Sequence, residues 1–155
     1  MAVIDDIYAY FFGRELRVGI PVSDSPKTVT VPVEIRPYGD EAAVSFTLEY
    51  DATKLSNPQI ILGDAAPEGS ILTTNTNDSG RIGIVIDSTN AFVASAMPKQ
   101  FVMVRFEVID TGGGKTPIVL SGSLAAKGAA DADGRSLTVR YLDGTIEIPA
   151  EEKGK

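Results

Sequence analysis

Short runs of alternating apolar and polar residues recur along this chain, and they constrain its fold more than any other feature. In the run VSFTLEY, Val44, Phe46, Leu48 and Tyr50 are apolar while the residues between them are polar. A period of two is typical of a β-strand that packs one face on a core and turns the other to water. The pattern therefore predicts half-buried strands rather than amphipathic helices.

Similar runs follow at short intervals, and each ends at turn-forming Gly, Pro, Asn or Asp residues. About nine such strands with almost no helical pattern between them predict an all-β fold, an antiparallel β-sandwich of two packed sheets. Within one run Pro32 cannot donate a ladder hydrogen bond, so we expect it at an edge or a bulge. The other predicted strands cover residues 16–21, 28–37, 59–62, 70–75, 81–87, 99–109, 116–121 and 137–148.

The first 13 residues follow a different pattern. Their large apolar side chains recur at helical spacing and form one stripe: Ile4, Ile7, Tyr8, Phe11 and Phe12. Asp5 and Asp6 near the start and Gly13 at the end suit the two ends of a short amphipathic helix. We therefore divide the chain into an N-terminal amphipathic segment (1–13), one β-sandwich domain (14–149) and a charged tail (150–155).

The composition excludes several classes of function. The chain has no His and no Cys, which removes Ser-His and Cys-His nucleophiles, thiolate metal sites and disulfides. Its net charge of −7, with only 14 Lys and Arg residues, disfavours nucleic acid and anionic membranes as partners. No apolar run is long enough to span a membrane, and the first residues lack the pattern of a secretion signal. We therefore expect neither an enzyme nor a cofactor.

Several segments, in their order and spacing, resemble the cohesin family, and in particular the cohesin-like modules of large bacterial surface and secreted proteins. They are TVTVPVEI, AVSFTLEYDATKLSNP, GRIGIVIDS, KQFVMVRFEV, a DADG turn and a closing DGTIEI, and together they span residues 16–148. The resemblance implies a nine-stranded jelly roll, related in shape to carbohydrate-binding modules. It also implies a non-catalytic module that binds a protein partner such as a dockerin, outside the cell or on its surface.

The resemblance further implies where the partner would bind. In the family the partner surface is an open sheet face, which corresponds here to residues 41–51, 70–75, 81–87 and 99–109. Alternation along these strands predicts the outward residues Ser45, Thr47, Glu49, Thr73, Asn75, Arg81, Gly83, Val85, Phe101, Met103 and Arg105. The predicted partner-binding set has an apolar centre of Val85, Phe101 and Met103 and a charged rim of Glu49, Arg81 and Arg105. One hypothesis is that residues 4–12 lie across this apolar centre, in their own chain or in another copy.

Two other functions remain open at this stage. A carbohydrate-binding module would stack sugars on exposed rings, for which the chain, having no Trp, offers only Tyr38, Phe92 and Tyr141 in loops. A structural spacer or self-associating module would use residues 1–13 as its joining element.

A DADG turn also suggests a weak calcium site. Asp131 and Asp133 resemble the start of a calcium loop, but the twelfth position, where an EF-hand needs Glu, is Leu142. We therefore prefer a plain turn here, with weak calcium binding as the alternative.

Overall fold

The computed structural model describes residues 13–109 and 112–148, and in this part of the chain it is a sandwich of two β-sheets. The predicted all-β, antiparallel two-sheet sandwich is confirmed, with one parallel strand pair added. The helix predicted for the N-terminal segment lies outside the described residues, except for its last residue, Gly13. Within the described residues there is no helix long and apolar enough to cross a membrane.

Sheet A contains six strands, and β3 pairs with three of the others. They are β1 (Glu15–Val18), β2 (Val22–Ser25), β3 (Thr28–Arg36), β5 (Leu55–Leu62), β8 (Lys99–Val108) and β12 (Arg140–Leu142). The order is β12-β1-β3-β8-β5, and β2 also pairs with β3. The gap between β1 and β2 faces Pro32, whose carbonyl accepts a 2.8 Å bond from the Gly19 amide. Pro32 therefore lies inside the sheet at an interruption of the ladder, where its missing N–H costs least.

Sheet B contains seven strands and packs against sheet A. They are β4 (Ala43–Glu49), β6 (Ile71–Asn75), β7 (Arg81–Asp87), β9 (Lys115–Ser121), β10 (Gly128–Ala130), β11 (Ser136–Leu137) and β13 (Gly144–Glu147). The order is β11-β10-β4-β7-β6, while β9 joins β4 to β13. β10 lies in a stretch where the sequence predicted no strand.

The core lies between the sheets and follows the predicted alternation. Six apolar residues that alternate with the predicted outward residues are fully buried: Phe46, Leu48, Ile82, Ile84, Val104 and Phe106. The Tyr50 ring packs against Phe106, with ring centroids 4.8 Å apart. Full burial of an apolar side chain such as Phe106 stabilises the fold by about 1.5–3 kcal/mol.

A buried cluster of charges joins three strands of sheet A. Glu15 on β1 is 1% exposed, and its carboxylate accepts a 2.9 Å bond from Arg36 on β3 and a 2.6 Å bond from Arg140 on β12. The charge of a buried carboxylate must be compensated by such partners. The cluster therefore fixes the pairing of segments that are distant in sequence.

Candidate protein-binding face

The outer face of sheet B carries eight of the eleven residues predicted to point outward. Cross-strand pairing places Ser45, Val85 and Thr73 in one row and Thr47, Gly83 and Asn75 in the next. Glu49 pairs with Arg81 at one end of this face. The face is therefore built by β4, β7 and β6, as the resemblance implied for these three strands.

The fourth predicted strand, β8, lies in the other sheet, so the predicted apolar centre does not form. β8 pairs with β3 and β5 in sheet A, which puts Met103 and Arg105 on the opposite side of the molecule from Val85. Phe101 is not outward at all: its side chain is fully buried and packs against Phe92, with ring centroids 5.3 Å apart. The surface on which the N-terminal segment was expected to lie is therefore absent from the structure.

A β-bulge in β8 explains why Phe101 was assigned to the wrong side. Val33 pairs with Val102, but the next residue of β3, Glu34, pairs with Gln100, so Phe101 is an extra residue in the ladder. An extra residue shifts the alternation by one and turns Phe101 inward. Gly63 packs against this bulge so closely that a Cβ there would lie 2.5 Å from the Gln100 carbonyl oxygen.

Part of the outer face of sheet B is covered by residues 122–127, which we call the strap. β9 and β10 pair with the same edge of β4: Ser121 lies opposite Thr47, and Gly128 lies opposite Ser45. Between these two pairs β4 has one residue, whereas the other strand has six. The strap is therefore a long insertion in what would otherwise be a continuous strand.

Thr47 is the main attachment point of the strap. Its hydroxyl donates to the Ala125 carbonyl at 2.7 Å and accepts from the amides of Leu124 and Ala125 at 3.0 and 2.8 Å. As a result Thr47 is fully buried although it points away from the core. A Cβ at Gly83 would lie 3.4 Å from the Ala125 side chain, so a small residue here leaves room for the strap.

Glu49 and Arg81 hold the neighbouring end of the strap. The Glu49 carboxylate accepts hydrogen bonds from the hydroxyls of Ser121 and Ser123, and Arg81 donates to the Ser123 carbonyl at 3.1 Å and to Asp78. The two serine bonds, with a smaller contribution from the Arg81 charge, lower the pKa of Glu49 below its ordinary value. Glu49 and Arg81 are thus engaged with the strap rather than free at a rim.

The rest of the face is open and contains a shallow groove. The groove has a volume of about 210 Å³, and it is lined by residues that include Ala43, Ser45, Val85, Gly128 and Ala130. At the margin of the same face Ile71, paired with Asp87, has 65% of its surface exposed. Small side chains around a groove, with an exposed apolar residue nearby, suit the side chains of a docked protein segment.

A larger cavity lies elsewhere on the molecule, but most of its charge is already paired. It has a volume of about 690 Å³ and runs along residues 17–21 beside Glu34 and Leu142. Two of its three charged residues already pair with each other, because Arg17 donates to Glu34 at 2.8 Å. We therefore assign the candidate site to the groove on sheet B rather than to this cavity.

The rings considered for sugar stacking and the carboxylates considered for calcium binding make contacts within the fold. Phe92 is buried, the Arg14 guanidinium carbon lies 4.3 Å from the Tyr38 ring centre, and Lys127 lies 4.8 Å from that of Tyr141. The Asp131 carboxylate accepts bonds from the amides of Asp133 and Arg135, both at 2.9 Å, and so closes the DADG turn. Within the described residues no three acidic side chains come together as a metal site.

Comparisons with known proteins assign most of the chain to one family. The family model described as the Cohesin domain matches residues 18–148. No curated protein sequence matches the chain.

Solved cohesin structures share the fold at low sequence identity. CaCohA2 of Clostridium acetobutylicum, in a complex with CaDoc0917, has 18% identity and a TM-score of 0.74, and the match covers 87% of this chain and 99% of that one. The third cohesin of ScaC from Acetivibrio cellulolyticus, in complex with the ScaB dockerin, has 19% identity and a TM-score of 0.71, covering 88% and 99%. A non-cellulosomal cohesin from the archaeon Archaeoglobus fulgidus has 18% identity and a TM-score of 0.69, covering 86% and 89%.

Proposed function

This chain belongs to the cohesin family, and from that premise we propose that it acts as a non-catalytic module that binds a dockerin-type protein partner. The observation that carries the proposal is the open groove on the outer face of sheet B, between β4, β7 and β10. We further propose that the module works in an extracellular or cell-surface assembly. The sandwich of residues 14–149 is the unit to which this function is assigned.

The chemistry of the open groove supports a helical protein segment as the occupant. Ser45 and Val85 lie side by side at its floor, and Gly128 and Ala130 form its small-residue edge. A helix docks through a few apolar side chains, which fit a shallow groove lined by small residues rather than a deep pocket. Val85 and the exposed Ile71 would supply the apolar contacts, and Asp87 would supply a polar margin.

The strap sets one limit of the proposed interface. Glu49 and Arg81, both predicted to contact the partner, bind the strap directly. A partner on this face would therefore meet the exposed side of the strap at one end and the open groove at the other. Relatives of similar fold are seen in complexes with dockerins, which supports a partner of this class.

A pair of matched substitutions tests the proposed face. Val85→Asp introduces a charge into the open groove, whereas Met103→Asp makes a similar change on the outer face of sheet A. Since a central interface residue contributes 2 kcal/mol or more, we expect Val85→Asp to weaken dockerin binding by about 30-fold or more. Met103→Asp should leave the affinity within about threefold of the original chain, because it lies outside the interface.

Isothermal titration of a panel of recombinant dockerins provides the measurement, with thermal unfolding to confirm that both variants fold. Loss of binding in Met103→Asp alone would move the interface to sheet A. Failure of every dockerin to bind the unsubstituted chain would contradict the proposed partner class.

A further inference from the structure

Exposed apolar side chains gather at one end of the sandwich, which we call the crown. The crown consists of the turn between β3 and β4 (residues 37–42) and the loop of residues 88–98. Val93 is 81% exposed, Met97 is 67% exposed and Tyr38 is 37% exposed. Large apolar residues this exposed are unusual when several lie together, and they commonly mark a contact surface.

Backbone hydrogen bonds hold the two parts of the crown together. The Ser95 amide donates to the Pro37 carbonyl at 3.2 Å, and the Phe92 amide donates to the Glu41 carbonyl at 3.1 Å. Phe92 is buried, whereas the next residue, Val93, is exposed to solvent. The apolar residues of the loop are therefore presented by an anchored backbone.

The chain enters the sandwich at this crown. Arg14 places its guanidinium carbon 4.3 Å from the Tyr38 ring centre, and it forms ion pairs with Asp40 at 2.8 Å and Glu41 at 2.5 Å. Gly13 has a φ of +77°, and a Cβ there would meet no atom within 4 Å. The described chain therefore begins one residue before Arg14, whose side chain contacts Tyr38 of the crown.

We propose that residues 1–12 dock on the crown of their own chain, with their apolar stripe against Val93, Met97 and the edge of Tyr38. Twelve residues in a helix would span about 18 Å, which exceeds the roughly 10 Å spacing between two packed sheets. The segment is thus long enough to cross the end of the sandwich. This contact is separate from the protein-binding face of sheet B, and it replaces the hypothesis that the segment covers an apolar centre on that face.

The absence of cysteine from the chain allows a direct test by cross-linking. In the double variant Ile7→Cys with Val93→Cys, the stripe and the crown would be joined by a short bis-maleimide. In the first control Asp6→Cys replaces Ile7→Cys, which keeps the chain distance but moves the thiol off the stripe. In the second control Ile109→Cys replaces Val93→Cys; Ile109 is 56% exposed and lies at the other end of the sandwich.

We expect the stripe–crown pair to cross-link within one chain about tenfold faster than either control, since docking raises the effective concentration of the two thiols. Similar rates for the three pairs would overturn the proposal. Cross-linked dimers whose yield rises with protein concentration would also overturn it, in favour of docking on a second copy. The pair Phe11→Cys with Met97→Cys repeats the measurement with Ile7 and Val93 intact. Slow cross-linking in both pairs therefore could not be explained by the loss of the Ile7 and Val93 side chains.

Discussion

At the scale of single residues, the buried carboxylate of Glu15 is the most consequential side chain. Burial raises its pKa, but the hydrogen bonds and charges of Arg140 and Arg36 outweigh burial, so the pKa lies below the ordinary value of 4.5. The folded state therefore binds fewer protons than the unfolded state near this pH. The stabilisation is fully present above pH 4.5 and is lost as the pH falls through the lower, folded-state pKa.

We expect Glu15→Gln to lower the free energy of unfolding at neutral pH by about 3 kcal/mol, because it removes the counter-charge that Glu15 provides to the buried Arg36 guanidinium. The difference from the unsubstituted chain should shrink as the pH is lowered below 4.5, since the native Glu15 then becomes protonated. Urea unfolding across this range measures both effects. The control Arg17→Gln removes a 40%-exposed charge 4.0 Å from Glu15 and should cost less than about 1 kcal/mol. A difference that did not change with pH would contradict this account.

Alternation predicted the direction of most core side chains but failed at Phe101. On β4 and β7 the period of two is unbroken, so Phe46, Leu48, Ile82 and Ile84 were placed correctly. In β8 the bulge adds one residue, and nothing in the sequence KQFVMVRF marks where the count changes. The bulge depends on backbone contacts with Gly63, which lies far away in sequence and could not be inferred from the strand itself.

At the scale of secondary-structure elements, the strap decides how much of sheet B a partner can reach. It crosses β4 and β7, and its main attachment is the Thr47 hydroxyl, which makes three hydrogen bonds to it. The side chains of Ser45, Glu49 and Arg81 make further hydrogen bonds to it. Little in the sequence indicates the strap, because SGSLAAKG has neither strand nor helix periodicity and only the glycines at 122 and 128 suggest an interruption. The strap is evident only from the pairing of Ser121 and Gly128 with β4.

We expect Thr47→Val to release the strap while the sandwich stays folded. The substitution keeps the side-chain shape but leaves the Leu124 and Ala125 amides without their acceptor, at a cost of about 1–3 kcal/mol. Trypsin should then cleave after the exposed Lys127 about tenfold faster, a ratio that corresponds to 1.4 kcal/mol. Thr73→Val, on the outer face of the same sheet, is the matched control and should not change the rate. Unchanged cleavage in Thr47→Val would contradict its role as the main attachment and would show that the bonds from Ser45, Glu49 and Arg81 are enough to hold the strap.

At the scale of the whole molecule, the N-terminal strand and the C-terminal strands of the domain stabilise each other. β1 pairs in parallel with β12, so Leu16 lies opposite Tyr141, and β13 carries the buried residue Ile146 back into sheet B. Strand periodicity predicted two sheets correctly, but it could not assign β8 to its sheet. Alternation reports which side chains share a face, whereas sheet membership depends on pairing between distant strands.

A chain of residues 13–139 should therefore lose its cooperative unfolding transition, whereas residues 13–148 should retain it. The shorter chain lacks β12 and β13, which removes the Arg140 partner of Glu15 and the buried Ile146 and Ile148. Losing one such isoleucine costs about 2–5 kcal/mol, and domains of this kind are stable by only about 5–15 kcal/mol. Thermal unfolding followed by circular dichroism compares the two chains. A sharp transition in the shorter chain would contradict the proposed dependence.

The parallel pairing of β1 and β12 also determines how the domain would respond to tension. Both strands run from the crown towards the opposite end, where the Ile148 amide bonds to the Gly114 carbonyl. Opposite pulls on Gly13 and Ile148 would slide β1 along β12 and load their hydrogen bonds together, in shear, rather than peel them apart one at a time. A module strung between two anchors would therefore transmit load along its long axis, and its lifetime under load would depend on how quickly this strand pair ruptures.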